Sequence, residues 1–526
     1  MKTPAFRLVA IAVGLVLAAS TAHAQTRAEV GKALTLTVTS EPFVIELPSI
    51  GGDYVTGSFE ADIPVTVDLL NAAGGHVRRL VTGAAGATEF HFISPDDRAS
   101  LHVKGANARI LLRLSRVVSQ PADIATSAEI ISPAMLALQD RLAHGGNTAA
   151  FWKEVEARGT PLVEPAELPA YSIVTFLARG ASDNVLLFGA PSGDHDALSK
   201  LGDSDVWYRS YLLPNQTRLA YQLAVDVPKV PGTARERRVA ILATAKSDPF
   251  NRNPWPVDAV DEFNREFVLE LPEAPPQLGL ENKGAARGTL TSFEFASEKL
   301  GNKRTITIYR PAGWQPSDVS TRFLFLFDAQ KYLSTVPTPL ILDNLIAEKR
   351  IPPVVAVFVS EIDRKTRGLE LPANETFADF MAYELLPRIE TELGAAIPPE
   401  RAILAGSSYG GLAAATVALR HPGMFGNAIS MSGSFWWHPE GTAPEDQEYV
   451  AGLLAGSPRK AVRFFVTAGL FETGRPDSPG ILDTSRHLRD VLRAKGYDFD
   501  YREYAGGHDY LVWGGALADA LIEITK

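Results

Sequence analysis

The chain has 526 residues, with 51 Lys and Arg against 61 Asp and Glu, no cysteine, 46% apolar and 21% charged residues. That composition belongs to a folded globular protein and excludes a disordered, collagen-like or disulfide-stapled chain. The acidic balance argues against nucleic acid or an anionic lipid surface as the main partner. At about 150 residues per domain, three or four domains are expected.

Met1 to Ala24 has the layout of a secretory signal. Lys2 and Arg7 precede an apolar stretch from Leu8 to Ala19, and Ala22-His23-Ala24 supplies small residues for cleavage. The apolar stretch is too short to span a bilayer, so stable membrane insertion is not expected and a mature chain would begin at Gln25. An exported chain without cysteine uses neither disulfides nor thiolate chemistry.

Between residues 25 and 130, short alternating runs such as Leu34 to Thr39, Val65 to Leu69 and Ile110 to Leu114 are separated by Gly51-Gly52, Gly74-Gly75 and Pro95-Asp96-Asp97. This spacing predicts a β-sandwich accessory domain without evident site residues. Residues 131–271 open with helical stretches from Pro133 to Arg158, interrupted by Gly145-Gly146. A second set of strands follows: Ser172 to Leu177, Asn184 to Phe188, Leu219 to Val225 and Arg238 to Leu242. They predict a second sandwich, ended by a Pro-rich linker over 272–288.

From residue 289 to 526, apolar runs alternate with helical segments, and Phe323 to Phe327 is apolar on both faces. A parallel sheet covered by helices on both sides is expected. The fold class is therefore multidomain, two β-sandwiches ahead of an α/β-hydrolase domain. Expected strands are Arg304 to Tyr309, Arg322 to Asp328, Val354 to Val359, Arg401 to Ala405, Asn427 to Met431, Val462 to Thr467 and Phe499 to Tyr504. Expected helices are Thr376 to Leu393, Gly411 to Arg420, Asp483 to Lys495 and Leu511 to Ile524.

One strand runs into Gly406-Ser407-Ser408-Tyr409-Gly410, a G-x-S-x-G pattern at a strand-to-helix turn. That context makes Ser408 the candidate nucleophile and the Tyr409 N–H an oxyanion donor. A serine hydroxyl needs a base, and His508 leaves the last strand through two glycines, unlike His421, His438 and His487. Glu472, just past the strand Val462 to Thr467, is the candidate orienting acid, with Asp477 the alternative. The second oxyanion donor is expected at Ala329 or Gln330. Trp436 and Trp437 are candidates for stacking on an aromatic ligand or for packing. Lys331, Arg364, Lys365, Arg367 and Arg475 are candidates for drawing an anionic ligand, with an Arg367–Glu370 ion pair as the structural alternative. No metal or cofactor is indicated, since neither zinc spacing, calcium loops nor Gly-rich phosphate loops occur.

Phe327-Asp328-Ala329-Gln330, Arg367 to Glu370, Gly406 to Gly411, Ser432 to Trp437, Ala468 to Glu472 and Gly506 to Asp509 together resemble the enterochelin (enterobactin) esterases of the esterase D-like superfamily. Phe151-Trp152, Gly159 to Leu162, Val174 to Phe176 and Asp205 to Arg209 look like the N-terminal sandwich of those enzymes. The resemblance covers about Phe151 to the C-terminus and departs in Asp328-Ala329 where the family often has Asp-Gly. It implies hydrolysis of a catecholate trilactone siderophore, ferric or iron-free, by Ser408, Glu472 and His508, assisting iron release. A carbohydrate-ester or feruloyl-type esterase and a non-catalytic binding protein are the alternatives.

Overall fold

The computed structural model describes residues 26–39, 41–118, 130–192, 195–230, 233–443, 446–474 and 479–526. The expected signal segment, Arg475 and Asp477 lie outside these residues. Among the described residues no helix is long and apolar enough to cross a membrane.

The first unit differs from the expected pair of stacked sheets: its seven strands form one continuous sheet. The strand Tyr54–Leu70 pairs over its first part with Ala108–Val118 and over its last part with Ser100–Lys104, while His76–Ile93 lies along its other edge. Register shifts begin between Ala61 and Val65. Pro64 sits in that gap and has no N–H for the ladder, so pairing breaks there and the strand is free to bend. Phe59, Phe92, Ile110 and Leu112 fill the enclosed core.

In the middle unit, helices Pro133–Ala143 and Ala149–Arg158 precede a four-stranded and a five-stranded antiparallel sheet. Val174, Phe176 and Trp207 of one sheet share a core with Leu187, Leu219, Tyr221 and Leu223 of the other. The segment Arg238 to Leu242, expected as a strand, is instead part of the helix Ala234–Thr244. A four-residue apolar run does not separate strand from helix by periodicity. The deciding signal is Thr233-x-x-Glu236, which closes a capping box and starts a helix.

Residues 272–288 hold no helix or strand, but they are docked rather than loose. Leu278 and Leu280 pack on the catalytic core, and Asn344 Nδ2 donates to the carbonyls of Gly279 and Glu281 at 2.7 and 2.6 Å.

The C-terminal sheet has eight strands in the order Thr289–Ser297, Asn302–Arg310, Val354–Val359, Arg322–Phe327, Ala402–Ser407, Asn427–Met431, Arg463–Gly469, Phe499–Tyr504. Asn302–Arg310 is antiparallel to both of its neighbours, and the pairs from Val354–Val359 onward are parallel. Phe323, Phe325 and Phe327 bury one face of their strand while Leu324 and Leu326 bury the other, which is why that run is apolar throughout. The helix expected over Thr376 to Leu393 is divided: Glu375–Phe380, a π-turn Met381–Leu385, then Leu386–Leu393. Pro387 cannot donate to the Tyr383 carbonyl and crowds it, so the preceding turn widens.

Candidate active site

The parallel strands all deliver their following loops to one edge of the sheet, where ligands bind in open α/β folds. Ser408 comes between Ala402–Ser407 and the helix Tyr409–Arg420, with φ 57° and ψ −122°. A non-glycine residue there is strained and has to be held. The Ser408 N–H donates to Met431 O at 3.0 Å, and its carbonyl accepts from Leu412 and Ser434 amides at 3.1 and 3.2 Å. A Cβ on Gly406 would lie 2.5 Å from the Gly410 carbonyl carbon, so the crossing of strand and helix requires glycine.

The Tyr409 amide is the first N–H of its helix and has no intrahelical acceptor. Ala329 occupies the matching position in helix Ala329–Leu333, behind Asp328 at φ 57°. The buried Asp328 carboxylate takes a two-toothed grip from Arg367, Nε to Oδ1 at 2.5 Å and Nη2 to Oδ2 at 2.7 Å. Burial opposes the Arg367 charge, but its hydrogen bonds and attraction to Asp328 prevail and hold its pKa above the ordinary arginine value. The alternative Arg367–Glu370 pair does not form: Glu370 accepts from Arg304 at 2.8 and 2.9 Å. Arg367 thus shapes the turn before Ala329, with its guanidinium 5.9 Å over the Tyr409 ring.

His508 follows the last strand, Phe499–Tyr504, and its Nδ1 lies 2.5 Å from Glu472 Oε1. Glu472 Oε2 accepts the Gly469 amide at 2.6 Å. The Glu472 side chain is 3% exposed and that of His508 40%, so the acid is sequestered and the imidazole reachable. A Cβ at Gly506 would meet Arg218 O at 2.8 Å, and one at Gly507 would collide with Ala190. The glycine pair therefore lets the middle unit pack against the histidine loop, where Arg218 N donates to Ala505 O at 3.0 Å. No hydrogen bond joins Ser408 to His508 among the described residues. Ser408 Oγ lies 3.4 Å from Ser434 Oγ, and either hydroxyl can donate.

Beside His508 lies a cleft of about 470 Å³ between the middle and C-terminal units. Phe188, His195, Arg238 and Glu266 line it from one side, and Trp436, Glu472, His508 and Asp509 from the other. Trp436 also stands 6.1 Å from the Tyr409 ring. Trp437 does not line the cleft: it packs edge-on to Tyr449, 6.0 Å away, against the core. Lys331 sits 5.6 Å over the Tyr510 ring, and Arg364 and Lys365 open the helix Arg364–Glu370 outside the cleft.

Sequence reasoning missed several neighbours. Trp513 meets the His508 ring edge-on at 4.8 Å and donates from Nε1 to Ser432 Oγ at 3.0 Å. Its place five residues past His508 in the last helix was the available signal. Glu266 and Asp509 put two more carboxyl groups in the cleft. Burial pushes Glu266 up to about 7 against the pull of Lys331, and raises Asp509 well above the usual carboxylate range despite the Val512 amide bonded to it.

The Esterase family model matches residues 297–524, and the model of the enterochelin esterase N-terminal domain matches residues 173–280. An iron(III) salmochelin esterase of Escherichia coli O6:H1 is 30% identical over 420 residues, spanning 74% of this chain and 97% of the relative. An iron(III) enterobactin esterase of Dickeya dadantii is 29% identical over 411 residues, 70% and 91%. The solved ferric enterobactin esterase of Salmonella typhimurium superimposes with a TM-score of 0.58 at 27% identity, over 71% of this chain and 98% of that one. That likeness carries the arrangement of an N-terminal domain ahead of an esterase domain, and the first sheet lies outside both family models. With these matches spanning both units that form the cleft, the chain belongs to the enterochelin esterase family of carboxylic ester hydrolases.

Proposed function

We propose that this chain is an exported serine esterase that opens the ester bonds of a catecholate trilactone siderophore of the enterobactin type, assisting iron release in the periplasm or outside the cell. The observation that carries the reading is the His508–Glu472 pair at the carboxyl edge of the sheet that also presents the strained Ser408, opening on a cleft walled by the family's N-terminal domain. Relatives named as enterobactin and salmochelin esterases, and the Shigella flexneri enterobactin esterase solved in the presence of enterobactin at 25% identity, support the substrate class. The apolar run with its basic start over residues 1–24 supports export.

In this reading Ser408 Oγ attacks the ester carbonyl while His508 Nε2 takes its proton. Glu472 keeps the remaining ring proton on Nδ1 and offsets the imidazolium charge. The Tyr409 and Ala329 amides hold the oxyanion. The proton then passes from His508 to the leaving alcohol, and a water deprotonated by His508 releases the acyl group from Ser408.

The test is labelling of the full mature chain with a fluorophosphonate, followed by peptide mass analysis. Modification of the Ser408 peptide, abolished by Ser408→Ala, is expected; an unlabelled chain that still binds siderophore would make it a binding protein on a hydrolase scaffold.

A further inference from the structure

The helix Ala234–Thr244 of the middle unit reaches the cleft through Arg238, and both of its ends are held by the first sheet. At its start Arg116 Nη1 lies 3.6 Å from Glu236, the capping-box residue. At its end Arg78 Nη1 and Nη2 donate to the carbonyls of Ala243 and Leu242 at 3.0 and 3.1 Å. Those carbonyls lack helical partners, and a cation is the group that end of a helix favours. Arg78 also lies 4.6 Å over the Phe263 ring. The next residue is bonded across the same junction: Arg79 N donates to Asp261 at 2.5 Å and its carbonyl accepts Asn264 Nδ2 at 3.2 Å. Tyr54 of the first sheet shares an apolar cluster with Ala240, Ile241 and Ala243 of the helix. The docking is polar and apolar together, and it fixes the helix along its length.

What the helix contributes is a cation, Arg238, set over an aromatic shelf from the strand Val185–Gly189 and the segment after it. The Phe188 and His195 rings stack at 5.1 Å and 11°. The Arg238 guanidinium stands 5.8 Å over Phe188, and its Nη1 is 3.2 Å from His195 Nε2. Arginine only donates, so in this contact His195 Nε2 is the acceptor. Among the described residues lining the cleft, Arg238 is the only arginine or lysine; Glu266 shares its wall, with burial pushing its pKa up to about 7, and the carboxyl groups Glu472 and Asp509 gather at the His508 side. Trp436 adds an aromatic face from the C-terminal unit. A flat ring bearing negative charge matches this wall: its face stacks on the aromatics and its oxygens accept from the guanidinium.

We propose that Phe188, His195 and Arg238 form a subsite for an anionic aromatic ring of the substrate, and that Arg78 of the first sheet is the positioning residue that sets it. The inference rests on the esterase reading of this cleft and adds how the ring is recognised and what the first sheet contributes.

The experiment is calorimetric titration of the full mature chain with 2,3-dihydroxybenzoate and with neutral benzamide. Arg238 is exposed on its helix, so Arg238→Gln leaves the fold intact. It is expected to weaken 2,3-dihydroxybenzoate by about tenfold or more, the loss of a charge-assisted hydrogen bond, and benzamide by less than about twofold. Arg78→Gln, which touches no ligand, is expected to shift the same ratio in the same direction, a selectivity that general loosening of the fold would not produce. Equal Kd values for wild type and Arg238→Gln, or an equal loss for both ligands, would overturn the proposal. Binding needs no turnover, so a chain that fails to cleave a siderophore still yields this result.

Discussion

Replacing Glu472 by glutamine tests the orientation of His508 by its acid at one atom. In the wild type, Glu472 Oε2 accepts the Gly469 amide at 2.6 Å and Oε1 faces His508 Nδ1 at 2.5 Å. The backbone donor fixes how a glutamine must sit: its oxygen goes to Gly469 N–H, so its NH2 group faces Nδ1. Two donors do not share one bond, and Nδ1 becomes the acceptor, which moves the imidazole proton to Nε2. The nitrogen meant to take the Ser408 proton then already carries one. A wrong tautomer in an otherwise intact triad lowers kcat by about 10⁴-fold, about 5.5 kcal/mol of barrier. Glutamine is isosteric and the site is buried, so folding should be preserved. The assay is kcat on p-nitrophenyl acetate for wild type and Glu472→Gln, with circular dichroism to verify the fold and the Nδ1 proton resonance to follow the tautomer. A folded variant keeping more than about a tenth of wild-type kcat would refute this assignment and turn attention to Asp477.

Gly406→Ala should cost about 1–3 kcal/mol in urea unfolding and lower kcat as well, because its Cβ would lie 2.5 Å from the Gly410 carbonyl carbon; an unchanged midpoint would contradict the close crossing. Arg367→Gln leaves Asp328 buried without its cation and should lose about 3 kcal/mol with a fall in kcat from the displaced Ala329 turn, measured by thermal unfolding and kinetics beside Arg367→Lys, which restores charge but not the fork. Glu266 gives a pH signature. Its folded pKa, raised to about 7 from 4.5, means that the protonated form is the one the fold favours, so its contribution is present at low pH and is lost as pH rises through 7. Glu266→Gln should therefore gain stability relative to wild type as pH rises from about 4.5 to about 7, the difference levelling off above that, and parallel stability curves would contradict the burial of that carboxyl group.

Much of the C-terminal unit was legible because its central strands are buried on both faces and carry no alternation to misread: Val354–Val359 and Asn427–Met431 begin and end where their apolar runs predict. The serine turn was legible for a local reason, a glycine at each crossing point. Arg367 shows what was not. Sequence distance offers Glu370 three residues on, whereas the parallel pairing of Phe327 with Val359 brings the loops after both strands to one edge and sets Arg367 against Asp328. The cleft wall is harder still. Phe188, His195, Arg238 and Glu266 reach His508 only through packing between units, and Arg238 sits in a segment whose apolar pattern fits a strand as well as the helix it forms. The first sheet carries no motif at all, and its bearing on the cleft comes from Arg78 and Arg116 gripping a helix more than a hundred residues away.

The most direct measurement of the central claim is hydrolysis of ferric enterobactin by the mature chain, with chromatography of the catechol-serine products, beside Ser408→Ala. The account predicts those products from wild type and none from the variant. Intact ferric enterobactin with wild type that still cleaves a simple aryl ester would contradict the proposed substrate, and equal cleavage by Ser408→Ala would contradict the nucleophile.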